Sequence, residues 1–119
     1  MITVVGTGLE SGDITVRGKK AIKSALELYS RTKTRYKSQP LCEKFSQAES
    51  YEQLDEYIVE FLLVRAEQCD KVVYITMGDG FGDTVVKKLS EKTRTEIIPG
   101  VADNRSRLPS GSFMTLSAY

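Results

Sequence analysis

Lys71-Val72-Val73-Tyr74-Ile75-Thr76-Met77-Gly78-Asp79-Gly80-Phe81-Gly82-Asp83-Thr84-Val85-Val86 reads as a strand, a glycine loop and a helix start in direct succession. Val72, Val73, Tyr74 and Ile75 are β-branched or aromatic, the side chains that fit a pleated surface. They are apolar without alternation, as expected of a strand covered on both faces of a parallel sheet. Gly78, Gly80 and Gly82 free the backbone for a sharp turn and for close approach of a ligand. Asp83 or Thr84 can cap the helix that carries Val85, Val86 and Leu89. A buried strand feeding a helix through a tight loop is the repeating unit of an α/β fold.

The flanking sequence extends this unit in both directions. Upstream, Ser50 to Gln68 is the clearest helix, with Leu54, Tyr57, Ile58, Phe61 and Leu62 on one apolar stripe and Glu52, Asp55, Glu56, Glu60 and Glu67 mostly elsewhere. Ser50 and Gln53 have the spacing of a capping box. Pro40 suits the first turn of a short helix running through Phe45, and Arg31 to Gln39 reads as a polar loop. Ile2 to Val5 is a second doubly apolar strand, ending in Gly6-Thr7-Gly8. A helix carrying Ala21, Ile22, Ala25 and Leu26 follows, with Asp13 as the expected cap and the firm part starting near Gly18. A short strand is expected at Leu26 to Ser30. Downstream, Thr95 to Ile98 is a strand stopped by Pro99-Gly100, Asp103 to Gly111 is polar, and Phe113 to Ser117 is a further strand. The expectation is a three-layer α/β/α domain with a mostly parallel sheet of about five strands.

The totals agree with a single globular unit. The chain has 119 residues, a size that supports one core. Seventeen basic against sixteen acidic residues leave +1, so no broad attraction to nucleic acid or an anionic membrane is implied. The local cluster Arg31, Lys33, Arg35 and Lys37 reads as a solvated face. There is no histidine, which removes Ser-His-Asp and Cys-His catalysis and the usual zinc sites. Cys42 and Cys69 share no metal-ligand spacing and read as reduced, part-buried thiols. The N-terminus lacks the basic segment and apolar run of a signal peptide. The longest apolar run, Phe61-Leu62-Leu63-Val64, is too short to span a bilayer. A cytoplasmic protein is the expectation.

Ligands of open α/β sheets bind outside the carboxyl ends of the strands. Gly6-Thr7-Gly8, Gly78-Asp79-Gly80-Phe81-Gly82 and Pro99-Gly100-Val101 all fall at such ends, on one rim if the strands are parallel. Gly6-Thr7-Gly8 lacks the third glycine of a dinucleotide fingerprint and the Gly-Lys-Ser/Thr of a P-loop. In the middle loop, amide groups and the following helix N-terminus can meet polar ligand atoms. Asp79 suits a ribose hydroxyl or an amino group, and Phe81 can cover an apolar ligand face. The alternative is a tight structural turn in which Asp79 satisfies local amides.

These three turns, in order, resemble the pattern of the tetrapyrrole (corrin/porphyrin) methylase superfamily. Val4-Val5-Gly6-Thr7-Gly8 with Gly12-Asp13 is similar to its opening Val-Gly-x-Gly-Pro-Gly-Asp. Met77 to Gly82 is similar to its Gly-Asp-Pro-x-x-Gly loop. Ile97-Ile98-Pro99-Gly100-Val101 is similar to its Ile-Pro-Gly-Val segment. The resemblance implies methyl transfer from S-adenosylmethionine, held between two α/β domains largely by backbone atoms. It implies cofactor contact by Gly78, Asp79, Gly80 and Phe81, with Leu9, Asp103 and Asn104 as further candidates. Gly6, Gly8, Gly12 and Asp13 then face a small-molecule substrate, a tetrapyrrole in many members. No catalytic base is named by the pattern. Full members are roughly twice as long, so residues 1–119 are expected to form the N-terminal domain alone, without its second domain. Apolar Phe113, Met114 and Leu116 would then be left for self-association, such as a homodimer.

The sequence also departs from the pattern. Gly80 stands where the loop usually has proline, Leu9-Glu10-Ser11 where a single proline is usual, and Ala102-Asp103-Asn104 where small hydroxyl residues are common. Tyr29-Ser30-Arg31-Thr32-Lys33 is similar to a stretch in methylase domains fused to MazG-type pyrophosphohydrolases, and this type is favoured. Asp13 to Gly18 is similar to diphthine synthase, and the Gly-Asp-x-Phe segment to precorrin methylases. Two rival readings follow. One is a non-catalytic docking or regulatory domain of a MazG-type fusion that has lost its cofactor. The other is a generic Rossmann-like nucleotide binder.

Overall fold

A computed structural model describes residues 1–8, 14–78 and 82–100 of the chain. The two doubly apolar runs form neighbouring strands, β1 (Ile2–Gly6) and β4 (Val72–Thr76), paired in parallel from Thr3 opposite Val73 to Gly6 opposite Thr76. Every residue of β4 is buried, as its unbroken apolar pattern requires. On the far side of β4 lies β2 (Glu27–Ser30), and on the far side of β1 lies β5 (Thr95–Ile98). A two-residue strand, β3 (Gln39–Pro40), completes the order β3-β2-β4-β1-β5, with every pairing parallel.

Helices cover both faces. On one face α1 (Val16–Ser24) packs Ala21 and Ile22 against Val5, Val73, Ile75 and Ile98. On the other, α3 (Tyr51–Gln68) and α4 (Thr84–Lys92) join Ile58, Val59, Leu62, Val85, Val86 and Leu89 to Ile2, Val4, Val72 and Tyr74. A single turn of helix, α2 (Leu41–Lys44), places Leu41 in the same cluster. The three-layer α/β/α arrangement is the one its sequence pattern predicts.

The caps show how the sequence sets the helix starts. Ser50 accepts a hydrogen bond from the Gln53 N–H at 3.1 Å, and the Gln53 side chain reaches back to the Glu49 N–H at 2.6 Å. This is the expected capping box, with its return bond one residue early. Asp83 caps α4 by accepting from the Val85 N–H at 2.7 Å. The cap of α1 is Thr15, which accepts from the Gly18 N–H at 3.0 Å; Asp13, expected in that role, lies outside the described residues. Gly18 is buried inside α1, where a side-chain carbon would press on Val5 and Ile14 at 3.0 and 3.1 Å. Packing against β1 therefore outweighs the weak helix propensity of glycine.

Two expectations need correction. Pro40 is not inside a helix: it ends the edge strand β3 and is the N-cap of α2. An edge strand tolerates a residue without an N–H. Residues 31–38 do form the expected polar loop, which passes into β3 only at Gln39 and is organised by the Ser38 hydroxyl, 2.7 Å from both Ser30 and Thr34. The face of α3 is rotated from the expected stripe, so that Asp55 is buried beside Ile58, Val59 and Leu62 while Leu54, Tyr57 and Phe61 are half-buried. The strand expected at Phe113 to Ser117 lies outside the described residues. Cys42 and Cys69 are both half-buried and free. Among the described residues no helix is long and apolar enough to cross a membrane.

Candidate functional site

The direction of the connections locates the site. From β1 the chain crosses one face through α1 and runs toward β2; from β4 it crosses the opposite face through α4 and runs toward β5. β1 and β4 are adjacent, so their carboxyl ends diverge to opposite faces and leave a crevice between them. This is the switch point where open α/β sheets bind ligands.

The floor of that crevice is a backbone bridge. Gly8 and Gly78 exchange both hydrogen bonds, Gly8 N–H to Gly78 O at 2.9 Å and Gly78 N–H to Gly8 O at 3.2 Å. Thr7 extends it, its N–H 3.0 Å and its hydroxyl 3.3 Å from the Thr76 carbonyl. Both glycines have positive φ, 76° and 71°, a region that costs a residue with a Cβ about 1–2 kcal/mol. Gly100, after β5, closes on the other side of the same turn. A carbon added to it would lie 2.5 Å from the Gly8 nitrogen and 2.6 Å from the Gly6 oxygen. The three glycine turns read from the sequence thus meet at one point. Of the candidate residues, Gly6, Gly8 and Gly78 are brought together here. Leu9, Gly12, Asp13, Asp79, Gly80, Phe81, Asp103 and Asn104 lie outside the described residues.

The family model Tetrapyrrole (Corrin/Porphyrin) Methylases matches residues 1–102. The chain belongs to the tetrapyrrole (corrin/porphyrin) methylase family. Among solved structures, uroporphyrin-III C-methyl transferase from Thermus thermophilus, complexed with S-adenyl homocysteine, is similar at 19% identity and a TM-score of 0.56, over 91% of this chain and 48% of that one. At that identity the likeness is one of fold. A diphthine synthase is similar at 25% identity and a TM-score of 0.49, over 86% of this chain and 45% of that one. The chain therefore spans less than half the length of either. No curated protein matches it.

Within this methylase-family domain, the polar groups around the crevice are already committed. The Gly78 N–H is held by Gly8 and is not among the amides open to a ligand. Asp83 occupies the N-terminus of α4 with its own carboxylate: Oδ1 accepts from Val85, and Oδ2 accepts from the Thr76 hydroxyl at 2.7 Å. A helix start of this kind attracts anions, and here the anion is supplied by the chain. Met77, next to the bridge, leaves 70% of its surface exposed and offers apolar contact at the rim.

Beside the start of α4 lies a polar cluster that the sequence reading missed. Asp55 is 6% exposed. It takes a hydrogen bond and ion pair from Arg31 on one oxygen and the Thr84 hydroxyl on the other. Arg31, read from sequence as part of a solvated face, keeps only 27% of its side chain exposed. Burial opposes the Arg31 charge, but the hydrogen bond to Asp55 and the neighbouring Tyr74, Asp55 and Asp83 overcome it and raise the pKa. The Tyr74 hydroxyl is fully buried with no hydrogen-bond partner. Burial pushes its pKa well up, with the Asp83 and Asp55 charges adding and Arg31 opposing. The signal was present: Asp55, Ile58, Val59 and Leu62 fall at i, i+3, i+4 and i+7, so the carboxylate shares the buried face.

Proposed function

We propose that this chain is the N-terminal half-domain of an S-adenosylmethionine-dependent methyltransferase, with the methyl donor seated at the Gly78–Gly82 loop. The observation that carries the reading is the meeting of three glycine turns at the switch point between β1 and β4. Membership of the methylase family supports the donor class. The Asp83 carboxylate at the start of α4 favours a ligand without phosphates, since a phosphate there meets a like charge instead of free amides. This argues for a sulfonium cofactor over a generic nucleotide.

In this reading Asp79, Gly80 and Phe81, with Leu9, Asp103 and Asn104, contact the donor, and Gly6, Gly8, Gly12 and Asp13 face a small-molecule acceptor. A substrate carbon or heteroatom attacks the sulfonium methyl, and orientation supplies most of the acceleration. The protein is cytoplasmic, and a second domain or a second copy closes the crevice. Calorimetry on the full natural protein with S-adenosylhomocysteine tests this. Saturable one-site binding is expected; absence of both binding and methyl transfer from labelled donor rejects it.

A second reading is a docking or regulatory domain of a MazG-type fusion. It rests on Tyr29-Ser30-Arg31-Thr32-Lys33 and on the glycine at position 80. The natural sequence beyond Tyr119 separates the two: a second α/β half supports the enzyme, and a direct passage to another domain supports the docking module.

A further inference from the structure

We propose that α1 and the loop of residues 31–38 form a cationic surface that docks the phosphate backbone of a nucleic acid. The net charge of +1 conceals a division of charge between the two faces of the sheet. On one face α1 carries Arg17, Lys19, Lys20 and Lys23 and no acidic residue. On the other, α3 carries Glu52, Asp55, Glu56, Glu60 and Glu67 against Arg65 alone. The loop between β2 and β3 adds Lys33, Arg35 and Lys37, again with no acidic residue. Its Tyr36 packs on the same core cluster as Ala21, Ile22 and Ala25, which brings the loop to the α1 side. Arg17 pairs with Glu96 at 2.5 Å. Lys19, Lys20, Lys23, Lys33 and Lys37 are all exposed, and none has an ion-pair partner among the described residues.

The loop is fixed from within. The hydroxyls at Ser30, Thr34 and Ser38 bond to one another, the Tyr36 N–H donates to the Thr34 hydroxyl at 3.1 Å, and the Arg31 carbonyl accepts from the Cys42 N–H at 2.9 Å. Lys37 takes a φ of 61°, a left-handed conformation that glycine or asparagine adopts more readily. An exposed segment tied this way presents its cations with little ordering left to lose on binding. The residue types select the partner. A face that lies on a membrane interleaves apolar side chains with its cations, and a specific protein interface has an apolar centre. Here the neighbours of the lysines are Ala21, Ile22 and Tyr36, which pack inward, and the exposed Thr32, whose hydroxyl suits a phosphate oxygen. Unpaired ammonium groups and hydroxyls without apolar insertion match a phosphate backbone. The acidic α3 face repels the same polyanion, which confines docking to one side.

Fluorescence anisotropy of the full natural protein with labelled single-stranded RNA, single-stranded DNA and duplex DNA tests this. Binding to at least one probe is expected. Its affinity should fall with salt at a log–log slope of about −3.5 for a single strand or about −4.5 for a duplex, from five lysines at about 0.7 or 0.9 each. Lys33→Gln combined with Lys37→Gln removes two of the five and should bring the slope to about −2.1 or −2.7. Lys87→Gln combined with Lys92→Gln makes the same charge change on α4, on the opposite face, and should leave the parent slope. All four lysines are exposed, so the urea midpoints stay together. Equal losses in the two double variants assign binding to net charge and overturn the proposal. Failure of all three probes to bind at low salt overturns it, and so does competition by anionic vesicles or polyglutamate as effective as that by unlabelled nucleic acid.

Discussion

Replacing Gly100 by alanine places one methyl group where there is no room for it. The added carbon lies 2.5 Å from the Gly8 nitrogen, 2.6 Å from the Gly6 oxygen and 2.8 Å from the Gly6 carbonyl carbon. Ordinary contact begins at 3.4 Å, so the turn after β1 or the end of β5 must move by about 0.9 Å. The obstacle is backbone that is also hydrogen-bonded to Gly78, so no side chain can swing aside. Overpacking costs about 1–3 kcal/mol, and the upper end is expected here. With a urea slope of about 2 kcal/mol per M, the unfolding midpoint falls by about 1.5 M. Far-ultraviolet circular dichroism reports it, since the chain has no tryptophan. Two neighbours calibrate the result. Gly78→Ala has open space but a φ of 71°, and should cost about 1–2 kcal/mol. Gly82→Ala meets nothing within 4 Å and should stay within about 0.5 kcal/mol of the parent. If Gly100→Ala unfolds at the same midpoint as Gly82→Ala, the convergence of the three turns is wrong.

Asp83→Ala removes the α4 cap and strands the Thr76 hydroxyl; a loss of about 2 kcal/mol is expected in urea unfolding, and an unchanged midpoint contradicts the cap. Tyr74→Phe deletes a buried hydroxyl that has no partner, so it should raise stability by about 1 kcal/mol, and a lowered melting temperature would show that the hydroxyl is satisfied. Burial first, and then the Glu27 carboxylate, push the Tyr29 phenol from 10.0 up to about 12. A phenol raised in the folded state stabilises fully below pH 10, and that contribution is lost as pH rises through the folded value. The urea midpoint should therefore decline between about pH 10 and 12, and Tyr29→Phe should flatten that decline; an equally steep decline in the variant counts against this burial.

The strands and main helices were legible because their signals are local. β4 and α4 follow from one unbroken run of sequence, and the Ser50 cap from two residues three apart. β3 was not legible, because two residues have no period and Pro40 suits a helix start as well as a sheet edge. Choosing Thr15 over Asp13 as the α1 cap required a tertiary fact, the seating of Gly18 against Val5. The glycine turns could be read as candidates, and their common rim followed from parallel strands. Their contact could not, because Gly8 and Gly78 meet only after β1 and β4 pair. The Asp55 cluster was missed for a related reason: Arg31 and Thr84 come from distant segments, and a lysine- and arginine-rich stretch looks solvated until its partner is placed.

The bridge between Gly8 and Gly78 also bears on when the site comes into being. One of its turns is made at the start of the chain and the other only after α3 and β4 have been laid down. Contacts between segments so far apart in sequence form late, because the chain between them must be ordered first. A nascent chain holding β1, α1 and β2 lacks the Gly78 half of that bridge. On the proposed function, donor capture by this domain would therefore report that the centre of its sheet has closed.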